Sequence, residues 1–126
     1  MIANGFVICF GSNRNNELGL LKQHKKGDSV NFLKDFYEPQ LNPHLDYVED
    51  IKLGLKHTIF ISIFEDQKNF FGAGSNSKGV LATCNNLYEN TLELTLLNPL
   101  WQFIKIDQIE VSWNNTVLLS SKKIVH

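Results

Sequence analysis

The run Phe6-Val7-Ile8-Cys9-Phe10 is apolar throughout and ends at Gly11-Ser12-Asn13. It predicts a short strand stopped by a glycine-containing corner, and its lack of alternation implies burial on both faces. Arg14-Asn15-Asn16-Glu17-Leu18-Gly19-Leu20 then reads as a loop with Leu18 and Leu20 pointing inward. The pattern weakens over residues 22–46, where Pro39 and Pro43 bracket what reads as an inserted loop, and Asp28 could cap a helical turn over 30–36. Extended character resumes over 48–53, breaks at Gly54-Leu55-Lys56, and returns over 57–64 as the longest strand signal in the chain. Glu65-Asp66-Gln67-Lys68 is a polar turn and Asn69-Phe70-Phe71-Gly72 starts the return strand, so this stretch predicts a hairpin. Further strands are expected over 92–97, 103–111 and 116–119. A break falls at 112–115, a turn at 120–123, and Ile124-Val125-His126 starts another strand.

Two marks recur along this pattern. Gly11-Ser12-Asn13 returns as Gly74-Ser75-Asn76, with Leu18 and Leu81 at the same offset after each copy. Ile51-Lys52-Leu53-Gly54-Leu55-Lys56-His57-Thr58-Ile59-Phe60-Ile61 is echoed by Ile109-Glu110-Val111-Ser112-Trp113-Asn114-Asn115-Thr116-Val117-Leu118-Leu119. Recurrence in the same order divides residues 1–126 into a first unit, 6–73, and a second, 74–126. Short strands in hairpins with glycine corners predict an all-β chain, a partial β-propeller of two antiparallel blade-like repeats. Two blades cannot close a ring, so an open edge is expected, to be covered by a partner or by more chain.

Composition narrows the function. The chain has 126 residues, 43% hydrophobic and 20% charged, which suits one modest domain. A formal net charge of −1 argues against a general nucleic-acid surface. The basic run Lys22-Gln23-His24-Lys25-Lys26 reads as a solvated loop. No signal peptide or membrane-length apolar segment is visible, so no direct membrane association is expected and the default location is cytoplasm or nucleus. Cys9 and Cys84 form no Cys-x-x-Cys pair and read as a buried thiol and a loop thiol. Asn114-Asn115-Thr116 reads as an accidental glycosylation sequon.

Chemistry-bearing residues do not form a catalytic set. His57 follows a glycine break, and a structural role is favoured, with its imidazole bonding to the turn. No nucleophile and acid accompany it. His24, His44 and His126 lack metal-site spacing, and the pairs Glu49-Asp50 and Glu65-Asp66 read as solvated edges. Residues 72–79 lack the Gly-Lys-Ser/Thr ending of a phosphate loop. No enzyme activity, cofactor or metal is therefore expected. Trp113 either packs within its blade or anchors a partner, whereas Trp101 is expected to pack. The 22–46 stretch, with Phe32, Phe36 and Tyr37, is either a specific contact or a mobile loop with an aromatic tether.

Together the words Cys9-Phe10-Gly11-Ser12-Asn13, Asn16-Glu17-Leu18-Gly19 and Gly54-Leu55-Lys56-His57-Thr58 resemble the regulator-of-chromosome-condensation repeat. Gly72-Ala73-Gly74-Ser75-Asn76 and Gly79-Val80-Leu81-Ala82 are the second copy, and Ser112-Trp113-Asn114-Asn115-Thr116 replaces both Gly and His of the His-Thr word. The resemblance implies structural roles for Gly11, Asn13, Leu18, Gly19, Gly54, His57, Gly74, Asn76 and Leu81. It also implies the opening blades of a seven-bladed propeller. Phe10 to Asn13 and Trp113 to Val117 are most similar to the fungal killer-toxin-insensitivity subgroup. That likeness implies a protein–protein interaction and regulatory role in wobble-uridine tRNA modification and diphthamide biosynthesis. The implied partner is a small zinc-containing Elongator and diphthamide-synthesis factor that carries its own zinc. Contacts are then expected from Arg14, Asn15, Lys56, Ser77, Lys78 and Trp113, near the corners where strands turn over. The founding branch of the family implies instead a guanine-nucleotide exchange factor acting on a small GTPase. A truncated repeat product without independent activity is the third expectation, because the second unit stops before a third Gly-x-Asn word.

Overall fold

A computed structural model of the chain describes residues 2–3, 5–22, 31–64, 67–75, 92–97, 104–113, 115–119 and 122–123. These form an all-β arrangement of antiparallel sheets. β1 (Ile2–Ala3), β2 (Phe6–Ser12) and β3 (Asp35–Leu41) make one sheet in that order. β4 (Val48–Leu53), β5 (His57–Phe64), β6 (Gln67–Gly74) and β7 (Leu92–Leu96) make a four-stranded meander. β8 (Ile104–Lys105) pairs with β11 (Lys122–Lys123), and β9 (Gln108–Ser112) pairs with β10 (Asn115–Leu119).

The four-stranded sheet is apolar on both faces because strand residues alternate sides. From β5 and β6, Ile59, Ile61 and Phe70 join Leu97, Ile106 and Ile109 in one cluster, with Val111 and Leu118 of the β9–β10 hairpin packed against it. From the opposite face Phe60 and Ala73 join Val7, Cys9, Leu20, Leu45, Val48 and Leu94. Residues 57–62 of β5 are accordingly all buried. The meander thus lies between the β1–β3 sheet and the hairpin. A register shift between Val48 and Asp50 puts Val48 and Ile51, an odd number of residues apart, opposite Ser62 and Phe60 on the same face.

Two-sided burial therefore belongs to β5 and not, as its composition suggested, to β2. There Val7 and Cys9 are buried while Phe6 and Phe10 are exposed, the alternation of a strand covered on one face. The stretch 22–46 also differs from an inserted loop. Its residues 35–41 are β3, which pairs with β2 from Ile8↔Leu41 to Ser12↔Asp35. Glu38 and Pro39 hid this strand, since Pro is tolerated on the edge strand of a sheet. Among the described residues helical geometry is confined to 31–32, and Asp28 lies outside them. The expected 103–111 strand is split at Ile106-Asp107 into β8 and β9. Gln67 and Lys68, expected in a turn, already belong to β6, and Lys122 and Lys123 to β11.

Both sequence marks correspond to matched backbone. Gly11 and Gly74 have φ of 107° and 108°, and each ends a register shift in its ladder. The second mark folds into two hairpins of the same register: Ile51↔Phe60 and Leu53↔Thr58 in one, Ile109↔Leu118 and Val111↔Thr116 in the other.

The two glycines differ in what surrounds them. A Cβ on Gly11 meets nothing within 4 Å, whereas one on Gly74 would run into the Lys56 carbonyl and the His57 Cα. Gly11→Ala is therefore expected to cost only the left-handed backbone penalty of about 1–2 kcal/mol. Gly74→Ala should add overpacking of about 1–3 kcal/mol. Urea unfolding of the two variants checks the order; equal losses would contradict it.

Candidate functional site

Three buried asparagines shape the loop after β2. Asn13 donates its side-chain amide to the Phe32 carbonyl (2.6 Å) and accepts the Leu18 N–H (2.8 Å). Asn16 pairs its amide with the N–H and carbonyl of Leu21 (2.9 and 2.8 Å). Asn42 donates to the carbonyls of Leu18 and Gly19 and accepts the His44 N–H. Each substitutes for backbone pairing that an irregular segment lacks. Asn16 has φ of 62°, a left-handed geometry that Asn tolerates better than most residues. Gly19, at φ 68°, sits against Phe60, Leu94 and Asn42, so a side chain there would be both strained and crowded.

A second corner joins the meander to the β9–β10 hairpin. The His57 imidazole lies directly over Gly54, where any Cβ would overlap the ring. Its Nε2 is 3.2 Å from the Thr116 hydroxyl, and the Gly54 N–H donates to the His57 carbonyl. The Leu55 N–H donates to the Trp113 carbonyl (3.0 Å), and the Ser75 N–H to that of Lys56 (2.8 Å). Lys52 bridges Glu110 (2.8 Å) and Asp50 (3.4 Å). Salt screens this exposed pairing, so the apolar contacts of Ile59, Ile61 and Phe70 dominate the junction.

Between the two corners an apolar cleft of about 380 Å³ opens, lined by residues of β2, the β4–β5 turn, Glu17 and Leu18. Phe10, Leu53 and Leu55 line it and are nonetheless exposed, Leu53 by 70%. Trp113, bonded to Leu55 through its carbonyl, is 73% exposed. Phe10, Leu53 and Leu55 make an apolar rim, and the backbone of Trp113 is joined to it at Leu55.

Of the residues expected to contact a partner, Lys56 follows Leu55 in the β4–β5 turn, and Trp113 is joined to that turn through the Leu55 N–H. Arg14 forms a two-pronged pair with Asp35 (3.0 and 2.9 Å), and Asn15 bonds the Glu17 carboxylate. Ser77 and Lys78 lie outside the described residues, as do Asn76, Leu81, Cys84, Trp101 and the 120–121 turn. The high exposure of Trp113 excludes its reading as core. Sequence reasoning missed Phe10 and Leu53 because strand residues of that type are ordinarily inward, and Leu55 because a single apolar residue in a turn carries no signal of its own. It missed Glu17, Asn16 and Asn42 because nothing in their spacing separates them from solvated loop residues.

Burial raises the pKa of the Cys9 thiol, which donates to the Gln40 carbonyl. Among the described residues no group of three or more His, Cys, Asp or Glu could hold a metal ion. No helix among them is long and apolar enough to cross a membrane. Comparison of the chain with protein families, with curated proteins and with solved structures returns no match.

Burial lowers the His57 pKa from its ordinary value of 6.5, so the fold holds a neutral ring. Below about pH 6.5 the unfolded chain takes up a proton that the folded one refuses. Stability is then fully present above that pH and falls as the solution is acidified, until the folded ring also protonates. Urea midpoints between pH 7.5 and 5 should decline for the wild type and less steeply for His57→Gln. Parallel profiles would assign the acid sensitivity to other groups.

Proposed function

We propose that this chain is a non-enzymatic protein-interaction module, two blade-like units of a partial propeller, whose rim at Trp113 engages a protein partner. The single observation that carries this reading is that Phe10, Leu53 and Leu55 are exposed where they line one cleft, with exposed Trp113 hydrogen-bonded through its carbonyl to Leu55. Isolated exposed apolar residues need no explanation, but a contiguous group flanked by polar ones is the composition of an interface centre. The backbone beneath is held by the Leu55–Trp113 hydrogen bond and the His57 corner, so little ordering entropy is lost on binding.

The blade reading is supported by the two hairpins of matched register and by the two left-handed glycines. Resemblance to the regulator-of-chromosome-condensation repeat supports the choice of partner, the small zinc-containing factor of diphthamide synthesis and wobble-uridine modification. The zinc belongs to that partner in this proposal, and the chain supplies surface.

Trp113→Ala should weaken calorimetric binding of the zinc-loaded factor by about 30-fold, the loss of one interface anchor of about 2 kcal/mol. Its thermal unfolding should barely change, because the ring is exposed. Phe64→Ala, at the far end of β5 from His57, should bind like the wild type. Absence of association by a folded wild-type chain at micromolar concentration refutes the partner. Faster release of labelled nucleotide from a small GTPase, at substoichiometric protein, would replace the proposal with exchange activity.

A further inference from the structure

The cleft beneath the rim has a ligand chemistry of its own. We infer that it takes an apolar side chain from an extended peptide whose neighbouring residue is Lys or Arg, with Glu17 as the carboxylate that reads the positive charge. This inference rests on the proposed interaction role and deepens it by stating the chemistry of the bound segment.

The volume of about 380 Å³ lies near the lower bound of ordinary ligand sites, roughly 300–1,000 Å³. Its lining is predominantly apolar, and Glu17 brings the one carboxylate among the described lining residues. Glu17 is half-buried, and its two oxygens accept from the Asn15 backbone N–H (2.8 Å) and the Asn15 side-chain amide (3.4 Å). Both donors are neutral, so they orient the carboxylate without cancelling its charge. The nearest cation in sequence, Arg14, is occupied by Asp35, and among the described residues no cation pairs with Glu17. A carboxylate held in place beside an apolar cleft gains most from a ligand that brings both an apolar body and a cation.

A peptide fits better than a free amine because Leu53 and Leu55 are exposed at the cleft's edge and Trp113, exposed beyond it, is bonded to Leu55, so flanking residues would have apolar surface to lie on. The N–H groups of Gly54 and Leu55 are already bonded within the corner. Recognition therefore proceeds through side-chain insertion and charge, and not by adding a strand at this turn.

The test is a nitrogen–proton NMR titration of the full chain with the blocked peptide Gly-Ser-Phe-Arg-Ser-Gly, against the same peptide carrying Glu for Arg and against phenethylammonium. Saturable shifts at the amides of Phe10, Leu18 and Leu55 are expected at millimolar peptide. The Arg peptide should bind about fivefold or more tighter than the Glu peptide, as a charge-assisted contact requires. Glu17→Gln should remove that difference, with the native spectrum retained. If Glu17→Gln disturbs the loop, the Arg-to-Glu comparison on the wild-type chain still decides. Equal affinity for the two peptides, or no saturable shift in a natively folded sample, overturns the inference. Phenethylammonium binding as tightly as the Arg peptide would make this an amine site and overturn the peptide assignment. Trp113 is outside the cleft lining, so saturable peptide binding by both the wild-type chain and Trp113→Ala, with no association of the zinc-containing factor with the wild-type chain, would sink the proposed partner and leave the cleft chemistry standing. The reverse outcome would do the opposite.

Discussion

Burial of β5 on both faces is the constraint from which the rest of the structure follows. A strand whose residues 57–62 are all inside needs a layer on each side, and the chain supplies the β1–β3 sheet on one and the β9–β10 hairpin on the other. Each fully buried Ile or Phe contributes about 1.5–3 kcal/mol, so the alternate side chains of this strand hold all three layers together. Where the strand enters its sheet, burial meets the polar backbone of the turn. His57 solves that conflict: its ring covers Gly54, its Nε2 reaches Thr116, and its backbone pairs with Gly74. A glycine is required on both neighbours because the imidazole and the Lys56–His57 backbone occupy the space a Cβ would need.

The same corner links structure to the candidate site. His57 fixes the β4–β5 turn from inside, which leaves Leu53, Leu55 and Lys56 on the outside, and the Leu55–Trp113 bond brings the hairpin's aromatic residue alongside. On the opposite lip of the cleft, Asn13, Asn16 and Asn42 hold the 13–21 loop and thereby set Glu17 and Leu18 in place. Rigid lips made by buried polar contacts, with apolar side chains turned outward, suit binding at low conformational cost. His57 contacts the Thr116 hydroxyl and covers Gly54, and burial keeps the Cys9 thiol protonated.

The sequence by itself determined the recurring marks and the local elements around them. The Gly-Ser-Asn words, the break at Gly54 and the hairpin over 57–72 are short-range features, set by glycine's access to left-handed backbone and by β-forming runs. Their repetition was legible because matched offsets produce matched registers, as Leu53↔Thr58 and Val111↔Thr116 show. His57 stood out beside the break at Gly54, and the structure seats its ring over that glycine. Burial was not legible. Phe6 to Phe10 and Ile59 to Ile61 are equally apolar, yet Phe6 and Phe10 face outward and Ile59 to Ile61 do not. Only the stacking of one sheet between two others distinguishes them, because sidedness depends on what lies across each face and not on the strand's own residues. The same holds for β3, whose polar, proline-bearing sequence becomes a strand through pairing with β2. The cleft, Glu17 with its Asn15 donors, and the rim of Phe10, Leu53 and Leu55, with Trp113 joined to it, likewise arise where distant segments meet, and such contacts carry no local spacing for the sequence to display.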